Sequence, residues 1–161
     1  MPEPNFNPSD TIREAIISLI KADTWLSTQF VKNGSPFIYE EPFETVTISN
    51  YPACSVYDMT DISFNDAGNF YEVGTETFIA EVANQSAYWR DAKTANSKLL
   101  LAVRDVLRTY VNSDLVLMSI INKLSIRAVR HIGAAKATNN MWTYASEIEF
   151  SVNYTEGIYP N

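Results

Sequence analysis

The sequence of 161 residues predicts one α+β domain, in which an antiparallel or mixed β-sheet carries two main α-helices packed on one face. Three observations predict this class. Residues 75–83 alternate as a strand and lead, after a few polar residues, into a long amphipathic helix that ends near Tyr110. Another amphipathic helix precedes this segment, and two alternating strands, 124–132 and 143–154, follow it.

The beginning of the chain predicts an extended arm over residues 1–10 and a domain over 11–161, because three prolines fall within the first eight residues. The first helix is predicted to begin at Thr11, since Thr11 and Glu14 have the spacing of a capping box. Apolar residues then recur at helical spacing on one face: Ile12, Ile16, Leu19, Leu26 and Phe30. The Asn-Gly pair at 33–34 is predicted to end this helix.

A region punctuated by prolines comes next and predicts short strands. Residues 45–49 and 53–59 are β-branched or aromatic, and the turn at 50–52 separates them. Residues 61–70 are predicted to form a surface loop or hairpin end, because turn-forming residues cluster at 65–68.

The strand at 75–83 and the helix after it give the clearest pattern in the chain. One face of the strand carries Phe78, Ala80 and Val82. The helix keeps a core-facing stripe of Tyr88, Ala92, Ala95, Leu99, Val103, Val106 and Tyr110. The stripe is widened by Leu100, Leu101, Ala102 and Leu107. This helix is therefore predicted to be covered by the sheet and by the first helix, with its remaining edge available to another subunit.

The last third of the chain predicts a strand pair. Residues 115–122 fit a short helix or a strand equally well, whereas 124–132 and 143–154 alternate. The final strand has one apolar face made of Tyr144, Ser146, Ile148, Phe150, Val152 and Tyr154. The loop at 133–140 is small, polar and long for a hairpin, which favours contact with a partner.

Charge is distributed unevenly along the sequence. The net charge is −7, which argues against tight binding of duplex DNA. No lysine or arginine occurs between Lys32 and Arg90, and that interval is acidic, whereas basic residues predominate from Arg90 onward. Two interpretations remain open: a solvated acidic surface, or acidic and basic faces that complement each other in a ring or stack, with DNA sliding past an acidic wall.

Side chains for catalysis or metal binding are sparse. The chain has one cysteine, Cys54, and one histidine, His131, and these are too few ligands for a zinc site. Cys54 lies in an apolar run, which favours a buried thiol over a nucleophile. Asp58 and Asp61 form only a weak candidate for an acid–base pair. We therefore expect no catalytic residue, metal or cofactor. With no signal peptide and no apolar run of about 20 residues, the chain is expected to be made in the cytoplasm and not to enter a membrane.

The order of these segments resembles the tail terminator, or tail-completion, proteins of long-tailed bacteriophages. The likeness rests on the strand entry NYPACSV, on the strand FIAEVANQ that runs into the helix SAYWRDAKTANSKLLLAVRDVLRTY, and on the strands LSIRAVRHI and WTYASEIEFSVNYTEG. It extends from about residue 11 to residue 154.

This resemblance implies a non-enzymatic virion protein at the tail end or neck. It implies a homo-oligomeric ring, generally a hexamer, that binds the tail tube protein and a head–tail connector protein while DNA passes through without tight binding. Candidate subunit contacts are Trp89, Arg90, Lys136, Asn139 and Asn140. Candidates for an acidic bore or face are Asp58, Asp61, Asp66 and Glu72.

Three alternatives to this function remain. The first is another connector, neck or tail-tube-like protein. The second is a monomeric binding module with a pocket between the long helix and the sheet. The third is an acid-dependent hydrolase that uses His131 or Asp58.

Overall fold

The computed structural model describes residues 8–32, 35–36, 38–48, 50–66, 71–109, 121–137 and 139–157. Its helices are α1 (Pro8–Ala22), α2 (Leu26–Gln29), a 3-10 turn (Phe43–Thr45) and α3 (Trp89–Thr109). Its strands are β1 (Val31–Lys32), β2 (Ser35–Pro36), β3 (Ala53–Asp66), β4 (Tyr71–Ser86), β5 (Ile121–Lys136) and β6 (Trp142–Gly157).

The predicted α+β class is confirmed. The main sheet is antiparallel, with the strand order β3-β4-β6-β5, and β1 and β2 form a separate small pair. Helix α3 lies across β4 and β6, while α1 lies on β3 and contacts α3. Both main helices therefore cover the same face of the sheet.

The core lies between this face and the helices. The Phe78 and Phe150 side chains oppose each other in the register of β4 and β6, and their rings stack with centroids 5.6 Å apart. The helices add a fully buried apolar set of Ile12, Ile16, Ile20, Leu26, Val103 and Val106. The predicted apolar faces of 75–83 and 143–154 are the ones that build this core.

The first helix differs from the prediction at both ends. It begins at Pro8, so Thr11 lies inside the helix and not at its cap; proline suits the first turn because its missing N–H would have no helical acceptor. It ends at Ala22, where the Asp23 carboxylate accepts hydrogen bonds from the backbone N–H groups of Trp25 (3.0 Å) and Leu26 (2.9 Å). That turn starts α2, so the predicted single helix to Phe30 is wrong.

Parts of two predictions for the beginning of the chain lie outside the described residues. Residues 1–7 of the predicted arm are not described, and the helix stop at 33–34 is not described either. The division into an arm at 1–10 and a domain at 11–161 stays a prediction, although Pro8–Asp10 are helical.

One prediction for the proline-punctuated region is wrong, and a second is correct only in part. The described residues of 45–49 form no strand, because Phe43–Thr45 instead closes a 3-10 turn in which the Thr45 N–H donates to the Pro42 carbonyl at 2.9 Å. The segment 61–70 was predicted as a surface loop or hairpin end. Residues 61–66 are not a loop but continue β3, which pairs with β4 from Ile62 opposite Glu76 to Asp66 opposite Glu72. The two strands are antiparallel, as in a hairpin, and residues 67–70 between them lie outside the described residues. Cross-strand pairing here overrides the turn preferences of asparagine and aspartate.

The long helix was predicted closely, with two errors in its stripe. Tyr88 is 71% exposed, because it precedes α3 and does not point at the sheet, and Leu101 is 47% exposed on the side away from the core. Tyr110 lies outside the described residues. The buried members of the stripe are Ala92, Leu99, Val103 and Val106, with Leu100 and Leu107 beside them.

The final strand pair is longer than predicted and irregular. Register shifts interrupt β5 at three places, including the step from Ile126 to Ala128, so the simple alternation predicted for 124–132 does not hold along its length. Residues 133–136 of the predicted loop belong to β5, and only the turn after Lys136 remains. Of the ambiguous 115–122, residues 121–122 are strand and the rest lie outside the described part.

Candidate assembly surfaces

Strand β5 forms one edge of the described sheet and carries positive charge. Its basic side chains are all exposed, and no aspartate or glutamate occurs within the strand. We call this set the basic edge: Lys123, Arg127, Arg130 and Lys136. Val129 and Ile132 on the same strand are exposed, and Ile132 is 57% exposed. The strand therefore presents cations and apolar side chains together.

Strand β3 forms the opposite edge and contains no lysine or arginine. We call its aspartates the acidic edge: Asp58, Asp61 and Asp66. Among the described residues, Tyr39 pairs with the outer side of β3 through a single parallel bridge at Ser55. This bridge covers the outer edge of β3 only at that end of the strand. The charged residues of the two edge strands thus differ in sign: those of β5 are basic, and those of β3 are acidic.

The predicted contact residues gather at one end of the sheet. Trp142 pairs with Ser86 on one side and with Lys136 on the other, so the start of α3 and the β5–β6 turn are neighbours. Asn139 and Asn140 are exposed in that turn, and Asn140 has a φ of 61°, which asparagine tolerates better than most residues. Whether this end meets another subunit stays a prediction.

Trp89 is the first residue of α3 and anchors it to the sheet. Its ring meets the buried Tyr144 ring edge-on, with centroids 6.2 Å apart, and still leaves the residue 43% exposed. The Lys93 ammonium lies 5.3 Å from the centre of the Trp89 ring, which is a cation–π distance. Arg90 follows on the exposed side. An aromatic surface with adjacent cations therefore stands beside the basic edge.

The predicted acidic residues are only partly brought together. Asp58 accepts a 2.7 Å hydrogen bond from Arg13 of α1, whose guanidinium also bonds Asp10 at 2.6 Å and Glu40 at 3.3 Å. Burial lowers the pKa of Arg13, but these three carboxylates outweigh it and raise the pKa. Asp58 is thus paired and is not a free acid.

The other acidic candidates are placed by their backbones. Asp61 and Asp66 lie on β3, and Glu72 lies on β4 directly opposite Asp66. The Asp66–Glu72 pair is at the end of the sheet away from Trp142. The side chains of these three residues lie outside the described part of the structure.

Glu76 is a buried carboxyl group that the sequence analysis did not single out. It lies on the helix-facing side of β4, opposite Val152, and is 1% exposed. Ser9 Oγ donates to its Oε2 at 2.7 Å, while Oε1 has no hydrogen-bond partner among the described residues. Burial is the main cause that raises its pKa; Asp58 and Asp10 add to the rise, and Ser9 and Arg13 oppose it.

Glu76→Gln is expected to stabilise the protein at pH 7 by about 1 kcal/mol, because it removes a buried charge with one unpaired oxygen. A carboxyl whose pKa is raised on folding stabilises the fold below its ordinary value of 4.5 and loses that contribution as the pH rises through the folded value. Thermal unfolding of both proteins from pH 5 to pH 8 measures this, and the wild type should lose more stability than the variant. Glu14→Gln, at an exposed site on α1, is the control. A variant less stable than this control at pH 7 would contradict the prediction.

The second face of the sheet is covered by the 3-10 turn at one place. Glu81 there is 7% exposed, and its carboxylate accepts 2.9 Å hydrogen bonds from the Phe43 N–H and from the Tyr57 hydroxyl. Burial raises the pKa of Glu81, which these two bonds oppose, and Glu147 and Glu44 add to the rise. Burial and the bond to Glu81 also raise the pKa of Tyr57.

Beside Glu81, an ion-pair network continues across this face to the basic edge. Glu147 lies opposite Glu81 in the register, and Arg130 donates to Glu147 at 2.9 Å and to Glu149 at 2.6 Å. These hydrogen bonds, led by the one to Glu149, raise the pKa of the exposed Arg130. Arg130 thus ties β5 to β6, while Lys123, Arg127 and Lys136 are the exposed cations left on this edge.

His131 belongs to a polar group that sequence reasoning missed. Its Nδ1 lies 3.0 Å from the hydroxyl of Ser146, which is 2.7 Å from the side-chain amide of Asn96. When the Asn96 oxygen accepts from Ser146, its nitrogen lies 3.2 Å from the carbonyls of Tyr144 and Val82. The available signal was that Asn96 and Ser146 are polar residues inside apolar stripes. Because Ser146 is fully buried, this group links α3 to the sheet and holds no accessible nucleophile.

The remaining chemistry is limited. Cys54 is fully buried, and burial raises the pKa of its thiol, which disfavours the reactive thiolate. Within the described ranges, no three or more His, Cys, Asp or Glu side chains are placed to hold a metal ion. No helix among the described residues has the length and apolar character needed to cross a membrane.

Comparisons with known proteins give little further information. No protein-family model matches the chain, and no curated protein matches it. Among solved structures, a chain of the virion of a native gene transfer agent particle is similar, with a TM-score of 0.43 and 13% sequence identity. The alignment covers 92% of this chain and 99% of that chain. A TM-score at this level is too low to bear on function.

Proposed function

We propose that this protein is a structural virion protein of a long-tailed phage or related particle. Its copies form a closed ring, generally a hexamer, at the end of the tail tube. The ring stops polymerisation of the tube and offers a surface for joining the tail to the head. The proposal follows from the sequence resemblance, whose order of helix, strands, long helix and strand pair is also the order of the described elements.

The observation that carries the proposal is that the two edge strands of the described sheet differ in residue charge: β5 has four basic residues and no acidic one, and β3 has three aspartates and no basic residue. A ring needs two different surfaces on each subunit that fit each other, so that copies join head to tail. Exposed strand edges are surfaces that other chains can pair with, and opposite charge selects the correct neighbour. The basic edge on β5 and the acidic edge on β3 meet both requirements within one sheet.

Exposed apolar side chains support the same contact. Val129 and Ile132 lie on the basic edge, and Tyr88 and Trp89 lie at the neighbouring start of α3. Interfaces between proteins combine an apolar and aromatic centre with a polar rim. In the ring, the neighbouring subunit covers these side chains.

Passage of DNA is compatible with the charge of the chain. The net charge of −7 gives the ring an acidic character, which repels the phosphate backbone at short range. Screening limits this repulsion to a Debye length of about 8 Å at physiological salt. In the proposed ring, Asp61 and Asp66 meet the basic edge of the neighbouring subunit, so Glu72 on β4 remains the candidate for the bore.

Reversing charge on the basic edge is expected to abolish ring formation. In Arg127→Glu combined with Lys136→Glu, two exposed cations become anions that face the acidic edge of the neighbour. Native mass spectrometry over a concentration series should show a closed oligomer for the wild type and no such oligomer for the variant. The wild-type oligomer should become weaker as the salt concentration rises. Lys21→Glu, an exposed reversal on α1, is the control and should assemble normally.

A mixing experiment sharpens this test. A second variant, Asp61→Lys combined with Asp66→Lys, should also fail to assemble alone. Mixed in equal amounts, the two variants should form an alternating ring, because each reversed edge then meets a reversed partner. Failure of the mixture, or normal assembly of either variant alone, would rule out contact between these edges.

The oligomer formed also separates the alternatives. A tail tube subunit should give open polymers of increasing length, whereas a terminator should stop at one closed size. A protein that stays monomeric at every concentration would favour a small binding module, whose thermal stability should rise with its ligand.

A further inference from the structure

A groove runs along α3 on the side facing the turn between α1 and α2. Two clefts form it, with volumes of about 380 Å³ and about 370 Å³, and Trp25 borders both of them. The lining residues of α3 run from Arg90 to Thr109, which at a rise of about 1.5 Å per residue is about 28 Å of helix. The groove is therefore long enough to hold a helix of similar length.

The floor and centre of the groove are apolar. Leu99 and Val106 form the buried part of the floor, and Ala95 and Ala102 are half-buried beside them. Trp25 is 43% exposed where the two clefts meet. Small alanine side chains let a second helix approach the α3 backbone closely.

The two ends of the groove differ in charge. Arg90 and Lys98 line the cleft nearer the start of α3, together with one acid, Asp91. Asp23 and Asp105 line the cleft nearer its end. Asp105 is exposed, and Arg104 contacts only one of its oxygens, at 3.4 Å. The groove is thus basic at one end and acidic at the other.

We propose that a second copy of this chain occupies the groove, with the two α3 helices antiparallel about a two-fold axis. In that arrangement the basic end of each groove meets the acidic end of the other, whereas a parallel arrangement would place like charges together. Lys98 of each copy then faces Asp105 of the other, which gives two equivalent pairs of opposite charge. The residues at the axis are those midway between these two positions, Leu101 and Ala102, and this gives the exposed Leu101 a partner in its own symmetry mate.

Apart from Arg90, this contact uses residues that the proposed ring contact does not use, and it does not depend on the ring contact. It is isologous, so the same patch is used on both copies, and it closes after two. Acting alone it gives a dimer; acting on a ring it joins two rings. Its measurable signature is an association step that doubles the mass of the species that associates, either the monomer or the ring. We call this the doubling step.

A charge exchange across the groove tests the contact in the full chain. Lys98→Glu and Asp105→Lys should each weaken the doubling step about tenfold or more in sedimentation velocity, because each places two pairs of like charges at the axis. The double variant should regain it, and a mixture of the two single variants should give the mixed dimer. Glu14→Lys, an exposed reversal on α1, should leave the step unchanged.

A thiol at the axis gives an independent readout. Leu101→Cys introduces an exposed cysteine while the native Cys54 is fully buried, so mild oxidation should give a disulfide-linked pair. Glu14→Cys should give little of that product. Absence of a doubling step in the wild type, or absence of preferential Leu101→Cys cross-linking, would overturn the proposal. Loss of the ring in the edge variants, with the doubling step intact, would separate the two contacts.

Discussion

Phe150→Ala is expected to lower the free energy of unfolding by about 3–5 kcal/mol, the range found when a buried phenylalanine is truncated. Phe150 is fully buried in the centre of β6 and stacks on the equally buried Phe78, so its removal leaves a cavity between the sheet and the helices. At roughly 2–4 °C per kcal/mol for a chain of this size, the melting temperature should fall by about 10 °C. Thermal and urea unfolding measure this loss.

Two further variants show whether the loss comes from the core position. Val31→Ala, at an exposed position of β1, should change stability by no more than about 0.5 kcal/mol. Phe78→Ala combined with Phe150→Ala should cost less than the sum of the single changes, because the stacked pair is lost only once. Equal effects of Phe150→Ala and Val31→Ala would mean that the rings do not lie in the core.

The longest regular patterns in the sequence predicted the structure best. β4, α3 and β6 each have an apolar face in the core between the sheet and the helices, and β4 and β6 pair without a register shift, so their periods of 2 and 3.6 residues are uninterrupted. β5 is an edge strand with three register shifts, and each shift moves the following side chains to the other face. Its alternation could therefore not be followed from sequence alone.

The errors at the beginning of the chain have a local cause. Asp23 breaks the helix by accepting two backbone hydrogen bonds, although the apolar spacing continues through Leu26 and Phe30. Residues 61–66 contain turn-forming Asn65 and Asp66, yet they extend β3 because β4 continues opposite them as far as Glu72. In both places, hydrogen bonds to particular neighbouring groups outweighed the structural preference that the local sequence indicates.

The candidate surfaces were predictable where they follow from connectivity. Trp89 and Lys136 lie at one end of the sheet because β4 leads into α3 and β5 turns into β6 there. The pairing of Asp58 with Arg13 could not be predicted, since it requires α1 to lie on β3. The groove beside Trp25 was missed for the same reason: its residues come from two separate segments of the chain.

Gly74→Ala is expected to destabilise the protein by about 1–3 kcal/mol, the usual cost of adding a methyl group to a filled site. Gly74 lies opposite Tyr154 in the register of β4 and β6, and a Cβ there would come within 2.5 Å of the Tyr154 ring. The Tyr154 ring therefore fills the space where a side chain of residue 74 would lie, so either this ring or β4 must move in the variant. Chemical unfolding of the variant measures the cost.

A second substitution identifies the source of that cost. Tyr154→Leu removes the ring atoms that an added Cβ would meet, so Gly74→Ala should cost much less in a Tyr154→Leu background than in the wild type. Gly133→Ala is an informative comparison, because no atom lies within 4 Å of a Cβ there and its φ of 116° alone disfavours alanine. Tyr154→Leu should therefore leave the cost of Gly133→Ala unchanged. If it relieved both substitutions equally, the Gly74 effect would come from strand flexibility and not from contact with Tyr154.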